Sequence, residues 1–157
     1  RIVAVAGVPT AAFAIIEKPA DIAAIALPFP LFLKPVSEGS GKGVSERSRV
    51  KDQTELRGVA LDLLVRFRQP VIVETYLSGR EFTVGITGTG EDAAVLGVME
   101  IRATAKGTQS GYSYENKEHW EDRVTLHLVD DAEARAAGEV ALDAWRALRC
   151  QIGRAHV

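Results

Sequence analysis

A lysine followed by a glycine-rich loop is the part of this sequence best suited to chemistry. Lys34 ends a short apolar run, and residues 39–43 then read Gly-Ser-Gly-Lys-Gly. Glycine leaves backbone N–H groups accessible to an anion because it has no Cβ, and a lysine adds positive charge. The pattern favours a loop that holds a polyphosphate. A flexible hairpin turn without a ligand is the alternative.

Two common phosphate-binding motifs do not fit this loop. A Walker A motif needs Ser or Thr after its Gly-Lys pair, where this chain has Gly43, and an earlier glycine where it has Val36. The dinucleotide-binding fingerprint needs a glycine spacing that residues 39–43 do not have. The loop therefore predicts a phosphate site of another kind.

A second segment further along the chain makes the pattern more specific. Residues 71–84 read Val-Ile-Val-Glu-Thr-Tyr-Leu-Ser-Gly-Arg-Glu-Phe-Thr-Val. A strand ending in Lys-Pro, a Glu-Gly-Ser loop and then this segment form an order that resembles the ATP-grasp superfamily. The order is most similar to that of the D-alanine–D-alanine ligases. The resemblance extends from about Gly7 to Cys150, and it is carried by the combination rather than by any single motif.

The resemblance implies where the phosphates of ATP would bind. Lys34 would bridge the α- and β-phosphates as a point charge. Ser40 and the backbone of the glycine loop would cover the β- and γ-phosphates, where a closing loop can exclude water from a reactive intermediate. The residues predicted to bind nucleotide in this part of the chain are Lys34, Glu38, Gly39, Ser40, Gly41 and Gly43.

The same resemblance implies a set of contacts to adenosine. Glu74 would accept a hydrogen bond from the adenine amine, and the backbone of Tyr76 and Leu77 would bind the edge of the base. Glu81 would hold the ribose hydroxyls, because a carboxylate can accept from both. Two alternatives remain: Glu74 as a surface cap or ion-pair partner, and Glu81 as a solvated turn pair with Arg80.

A polar segment between residues 103 and 123 predicts a long loop, and loops of this length inside a domain are often functional. Its residues 112–117 read Tyr-Ser-Tyr-Glu-Asn-Lys, which resembles the mobile loop of these ligases. By resemblance Lys117 approaches the phosphates, so Lys117 and Ser40 are the predicted catalytic residues. Glu118 stands where many of the ligases have a tyrosine, which leaves substrates other than D-alanine open. We interpret His119 as a surface residue and assign no metal ligand.

The elements that must position these residues alternate between short strands and helices. The predicted strands are residues 13–17, 30–35, 47–50, 71–77, 81–87 and 93–101, and the predicted helices are residues 19–26, 52–67 and 130–148. Asp52 is the predicted cap of the second helix, along which apolar residues repeat at helical spacing. This order favours an α+β fold with mostly antiparallel sheet over a doubly wound parallel one. As an ATP-grasp fold it would have two lobes, a small lobe at residues 1–78 and an incomplete large lobe at residues 79–150.

Two burial patterns follow from the apolar positions. The continuous apolar run at residues 30–35 predicts a strand buried on both faces. The last helix has a predicted buried stripe, and an incomplete large lobe would leave that stripe uncovered. The residues of that stripe are Ala132, Ala136, Val140, Ala141 and Trp145.

Composition limits the classes of partner and compartment. The net charge of −2 gives no reason to expect nucleic acid or an anionic membrane surface as a partner. No segment approaches the roughly 18 apolar residues of a membrane span. Cys150 is the only cysteine, so an intrachain disulfide is impossible, and a reducing cytoplasmic setting fits best.

Both ends of the sequence predict a fragment. By resemblance, the magnesium ligands of the ligases would come after Cys150, and a further nucleotide lysine would come before Gly7. Residues 152–157 read Ile-Gly-Arg-Ala-His-Val, which is one reading frame of a common DNA-sequencing adapter. We therefore expect residues 151–157 to be a non-native tail, against the alternative of a genuine terminus.

The resemblance implies that the parent protein joins a carboxylate to an amine at the expense of ATP, with Mg²⁺ and D-alanine or a similar amino acid. The carboxylate would become an acyl phosphate, which has a better leaving group than oxide. Another amino-acid or peptide ligase, and an ATP-binding fragment without catalysis, are the alternatives. We expect this chain alone to be inactive, and a homodimeric parent is left open.

Overall fold

The computed structural model describes residues 2–39, 41–105, 120–151 and 154–156. Within these ranges the chain forms four α-helices and eight strands. In chain order these are α1 Ile2–Val5, β1 Phe13–Ile16, β2 Leu31–Pro35, β3 Arg49–Val50, α2 Gln53–Phe67, β4 Val71–Thr75, β5 Glu81–Thr87, β6 Ala94–Ala103, α3 Trp120–Arg123, β7 Val124–Val129, α4 Ala132–Ala147 and β8 Arg154–His156. Short 3₁₀ helices occupy Pro19–Ala24, Glu46–Ser48 and Gly90–Asp92.

The chain divides into two compact units, each with its own sheet. One unit contains Ala11–Ser78, together with the described residues of Ala105–Arg123. The other contains Gly79–Thr104 and the described residues of Arg1–Thr10 and Val124–Val157. All strand pairs in both sheets are antiparallel, which confirms the α+β prediction.

The first sheet has the strand order β1-β4-β2-β3, and α2 covers one of its faces. Alternate residues of β2 and β4 point to that helix, so Leu33 and Val73 are fully buried against Leu56 and Leu63. Burial of each such side chain contributes roughly 1.5–3 kcal/mol to folding. The opposite face of this sheet, here called the open face, carries the half-buried residues Phe32, Lys34, Ile72 and Glu74, and none of the described helices packs on it.

Helix α2 begins and ends at residues with recognisable capping geometry. The Asp52 side chain accepts a hydrogen bond from the Glu55 N–H at 2.9 Å, which satisfies one of the free donors of the first turn. The helix ends at Arg68, whose φ of 51° is left-handed. The predicted helix at residues 52–67 and its Asp52 cap are confirmed to within one residue.

The prediction that β2 is buried on both faces is wrong. Leu31, Leu33 and Pro35 are buried, whereas Phe32 and Lys34 are only half-buried on the open face. The run is apolar on both sides, yet an antiparallel sheet with a helix on one side buries only alternate positions. This difference matters because Lys34 emerges on the open face.

The second sheet has the strand order β7-β6-β5-β8, and α4 lies across it. The prediction of an uncovered stripe on the last helix is wrong, because its small side chains and Trp145 pack on β5 and β6. The predicted stripe is confirmed at Ala141 and Trp145 and is wrong at Ala132 and Ala136, which are exposed. The residues that α4 buries are Ala134, Ala137, Gly138, Ala141 and Trp145.

Strand β7 was not predicted, and the predicted loop at residues 103–123 differs at both ends. Ala103 belongs to β6, and Trp120–Arg123 forms α3, while residues 106–119 lie outside the description. Leu126 and Leu128 on β7 are exposed, whereas Val124 is buried and Val129 packs against the core of this unit, and the strand pairs with β6 along its length. Three residues of the predicted tail form β8, which pairs with β5.

Candidate functional site

Lys34 and Glu74 meet on the open face of the first sheet. Strand β2 pairs with β4 so that Phe32 lies opposite Glu74 and Lys34 lies opposite Ile72, which puts Lys34 diagonal to Glu74. The Lys34 Nζ is 2.6 Å from the Glu74 Oε2. The two residues predicted to bind opposite ends of ATP are therefore in contact in this structure.

The ion pair leaves both side chains accessible. The Lys34 side chain is 41% exposed and the Glu74 side chain 24%. The alternative role of Glu74 as an ion-pair partner is thus present, and its partner is Lys34 itself. A pair this exposed contributes little to stability, so its groups can exchange partners at small cost.

Aromatic side chains extend the open face toward the end of β4. The ring centroids of Phe32 and Tyr76 are 6.2 Å apart. The Arg49 guanidinium lies 4.4 Å from the centroid of the Tyr76 ring, within the range of a cation–π contact. Ile15 and Ile72 share the face in neighbouring strands. A flat, partly apolar surface next to Glu74 suits a planar base.

The backbone at Tyr76 has one group already engaged. The Tyr76 N–H donates to the Pro30 carbonyl at 3.0 Å. For the predicted contact to an adenine edge, Tyr76 can therefore offer its carbonyl and not its N–H. Leu77 follows with its side chain 71% exposed.

Gln69 anchors the beginning of the glycine loop. Its side-chain oxygen accepts from the Ser37 N–H at 2.6 Å, and its amide donates to the Glu38 Oε1 at 2.9 Å. The predicted phosphate-loop residue Glu38 is thus tied to the end of α2. The Lys42 N–H then bonds to the Gly39 carbonyl at 3.1 Å, which closes a turn. Ser40 lies outside the described residues.

Gly43 has a packing role that the sequence did not indicate. Its φ is +80°, and a Cβ there would lie 2.6 Å from the Pro35 Cγ and 3.0 Å from the Phe67 Cζ. Gly41 is also left-handed, with φ of +77°, whereas a Cβ on Gly39 would meet no atom within 4 Å. The packing of Gly43 against Pro35 and Phe67 therefore requires a glycine, whereas the space around Gly39 would admit a side chain.

Glu81 begins β5 in the other unit, and its neighbour Arg80 is the centre of an ion network. The Arg80 guanidinium contacts Glu100 through two bonds, Nε to Oε1 at 2.8 Å and Nη2 to Oε2 at 2.9 Å. It also reaches the Asp131 Oδ2 at 2.8 Å and the Glu133 Oε2 at 2.9 Å. Arg80 is therefore not the solvated turn partner of Glu81 that the sequence left open.

The network shifts the pKa of its carboxylates. The hydrogen bonds from Arg80, and then from Arg102, lower the pKa of Glu100 to about 2. Asp131 also has a pKa of about 2, because Arg80 and the Ala134 N–H both bond its ionised form. The three carboxylates raise the pKa of Arg80. These groups stay charged because each carboxylate has a cationic partner.

Sequence reasoning missed this network, although one signal was present. Glu100 lies in an apolar strand and is only 5% exposed. A carboxylate at a buried position requires a cation and hydrogen bonds. That requirement predicts a partner for Glu100 without saying which arginine it is.

The predicted residues of the long loop, Lys117, Glu118 and His119, lie outside the residues that the structure describes. Within the described part of the chain, no group of three His, Cys, Asp or Glu residues could hold a metal ion. In the same part, no helix has the length and apolarity that a membrane crossing requires.

Solved structures with a similar fold include amino-acid ligases. A D-alanine–D-alanine ligase from Bacillus anthracis superposes with a TM-score of 0.69 at 23% identity, over 99% of this chain and 48% of that one. VanG D-Ala:D-Ser ligase from Enterococcus faecalis gives 0.67 at 24% identity, over 99% and 45%. These similarities define the class: the fold is that of the C-terminal region of ATP-grasp ligases.

The sequence comparisons narrow the class to one family. The model for the D-ala D-ala ligase C-terminus matches residues 2–157. The D-alanine–D-alanine ligase of Bordetella petrii is 33% identical over 148 residues, covering 92% of this chain and 43% of that protein. The ligase of Janthinobacterium sp. is 34% identical over 152 residues, covering 92% and 45%. The chain belongs to the D-alanine–D-alanine ligase C-terminal family, and it spans less than half the length of these relatives.

Proposed function

We propose that this chain is the ATP-binding part of an ATP-dependent ligase that forms a carbon–nitrogen bond. The observation that carries the proposal is the Lys34–Glu74 pair on the open face of a sheet otherwise covered by α2. A lysine that can release its carboxylate partner is suited to a phosphate, and the released carboxylate is suited to an amine donor. Both groups are accessible to a ligand.

The surrounding residues fit a nucleotide. Phe32, Ile72 and the Arg49–Tyr76 stack provide a surface for a base beside Glu74. The Tyr76 carbonyl and the Leu77 backbone follow directly after β4 and would bind the edge of adenine. Glu81 would accept from the ribose hydroxyls. These assignments rest on the family resemblance and on the accessible side of the sheet.

The phosphates would lie near Lys34 and the glycine loop. Lys34 supplies a point charge, and Gly39, Ser40 and Gly41 would present backbone N–H groups. Gln69 and Gly43 fix the two ends of this loop. We propose that the loop between them covers the reactive phosphate and excludes water.

The chemistry of the whole protein would proceed in two steps. ATP transfers its γ-phosphoryl group to a carboxylate, and an amine then attacks the acyl phosphate and displaces phosphate. Lys117 would approach the phosphates from the long loop. The described residues do not fit a Mg²⁺ site, so we derive no step through a metal from this chain.

We propose that the substrate is D-alanine. The product would be a dipeptide that is used as a precursor in cell-wall synthesis, and the reaction would take place in the cytoplasm. The names of the similar proteins support this choice. Glu118 favours a second candidate, a ligase for another amino acid, because many D-alanine ligases have a tyrosine there. Comparing phosphate release with D-alanine and with other amino acids, in the complete protein, would discriminate between the two.

The nucleotide site can be tested on this chain alone. We expect the 157-residue protein to bind ADP in a fluorescence titration with a labelled analogue, and unlabelled ATP to compete. GTP should compete more weakly, because Glu74 can accept from the adenine amine and would face the guanine carbonyl oxygen instead. Equal competition by ATP and GTP would contradict the proposed role of Glu74. If neither nucleotide bound, the proposed function itself would be contradicted.

A further inference from the structure

Arg80 lies within the stretch proposed to bind adenosine, but its own side chain is engaged by three carboxylates. Residues 76–81 contain the proposed contacts of Tyr76, Leu77 and Glu81. Arg80 instead bonds to Glu100, Asp131 and Glu133. Its guanidinium also lies 4.8 Å from the centroid of the Phe82 ring. All these partners belong to the same unit as Arg80.

The network joins three separate elements at one point. Glu100 is on β6, Asp131 caps the first turn of α4 by accepting from the Ala134 N–H at 3.0 Å, and Arg80 directly precedes β5. Glu100 is buried, whereas the Arg80 side chain is 29% exposed. Arg80 is therefore held by three carboxylates at the protein surface, one of which is the buried Glu100.

The chain just before Arg80 has no comparable restraint. Residues 77–79 are exposed, and a Cβ added to Gly79 would meet no atom within 4 Å. The division between the two units falls here, after Ser78. The backbone is fixed at Tyr76 by its bond to Pro30 and is next fixed by the Arg80 side chain.

The geometry of a strand transmits this restraint to Glu81. Successive side chains in extended chain point to opposite faces. Arg80 and Phe82 share the α4 side of the second sheet, so Glu81 points to the other side, where it lies opposite Ile101 in the register. Fixing Arg80 therefore fixes the point from which the Glu81 carboxylate projects.

We propose that Arg80 is a positioning residue for nucleotide binding, which holds the start of β5 so that Glu81 meets the ribose hydroxyls. The inference rests on the proposed nucleotide site. If the strand that carries Glu81 were free to shift, ordering it on ribose binding would cost conformational entropy. A strand that is already fixed before binding avoids this cost. Arg80 touches no ligand in this proposal and acts only through Glu81.

A double-mutant cycle tests the proposal on the full 157-residue chain. The variants are Arg80→Lys, Glu81→Gln and the two combined, and Arg135→Lys serves as the control. Arg135 on α4 forms an exposed ion pair, at 2.9 Å, with Asp130, which lies just before that helix. Arg80→Lys keeps the charge beside buried Glu100 and so is expected to fold. Labelled ADP gives the dissociation constant, and urea denaturation gives the stability.

We expect Arg80→Lys to weaken ADP binding about tenfold, a size common for coupled neighbours. When Arg80→Lys is added to Glu81→Gln, the ADP dissociation constant should rise by less than about twofold, because Arg80 acts through Glu81. Arg135→Lys should leave the ADP dissociation constant unchanged.

Three outcomes overturn parts of this account, and they can be told apart. If Arg80→Lys lowers stability but the folded protein binds ADP as the wild type does, Arg80 is structural only. If the effects of Arg80→Lys and Glu81→Gln multiply, Arg80 does not act through Glu81. If wild type binds no ADP, the proposed function fails and this inference fails with it.

Discussion

At the scale of single residues, the Lys34–Glu74 contact occupies the atoms that the proposed ATP contacts would need. In this structure each group neutralises the other across neighbouring strands. Binding of ATP would replace this pair by a phosphate contact and an amine contact. The exchange costs little because both side chains are partly in water.

Replacing Lys34 by methionine tests this exchange. We expect Lys34→Met to weaken ADP binding about tenfold or more, since a hydrogen bond to a charged group contributes roughly 1.5–3 kcal/mol. The measurement is titration with a fluorescent ADP analogue. Lys51→Met is the matched control, because Lys51 forms a similar ion pair, with Glu55, at an Nζ–Oε1 distance of 3.2 Å. Unchanged affinity in Lys34→Met would contradict the phosphate role.

The depressed pKa values of Glu100 and Asp131 predict how stability depends on pH. Both carboxyls have a folded-state pKa of about 2, below the ordinary values of 4.5 and 3.8. Folding therefore favours the ionised forms, and this stabilisation is complete above about pH 4.5 and is lost as the pH falls toward 2.

Glu100→Gln should make that pH dependence visible. We expect the gap in urea midpoint between wild type and Glu100→Gln to be wide at pH 6 and to narrow between pH 4.5 and 2. Glu139→Gln, an exposed position on α4, should follow the wild type throughout. A gap that stays constant over this range would show that the Arg80 bonds do not lower the pKa of Glu100.

At the scale of elements, the glycine loop has one glycine fixed by packing and another that is open. Gly43 combines a φ of +80° with close contact to Pro35 and Phe67. We expect Gly43→Ala to reduce the free energy of unfolding by about 2 kcal/mol, because it adds a left-handed strain and a clash. Gly39→Ala should change stability little. Denaturant titration measures both, and equal effects of the two variants would contradict the packing role of Gly43.

Helix α2 carries an unused opportunity for stabilisation at Gly58. This glycine is exposed in the helix interior, and an added Cβ would meet no atom within 4 Å. We expect Gly58→Ala to raise the free energy of unfolding by about 0.5–1 kcal/mol, because alanine loses less backbone entropy in a helix. A lower midpoint in thermal or urea unfolding would show that this position is constrained in a way the backbone does not reveal.

At the scale of the whole molecule, the two units have separate hydrophobic cores. Leu63 belongs to the core under α2, and Val84 belongs to the core under α4. We expect Leu63→Ala and Val84→Ala each to be destabilising, by roughly 2–5 kcal/mol for the leucine. Hydrogen exchange should increase mainly in α2, β2 and β4 for Leu63→Ala, and mainly in β5, β6 and α4 for Val84→Ala. Exchange that increases equally in both units would indicate one cooperative core.

The sequence by itself determined the features that depend on neighbours along the chain. The Asp52 cap and the apolar repeat of α2 predicted that helix to within a residue, and strands such as β5 were predicted at their observed bounds. The order of the Lys-Pro strand, the glycine loop and the Glu74 segment indicated the ligase family. These signals are readable because helix caps and side-chain alternation act over a few residues.

Only the tertiary structure decided which distant groups meet. Lys34 contacts Glu74 because of the register between β2 and β4, and Arg80 reaches Glu100 and Asp131 because α4 packs across the second sheet. The open face of β2 and the edge strand β7 likewise depend on what packs beside them. Local patterns cannot fix these choices, since the burial of a face and the partner of a charge are set by residues far apart in the chain.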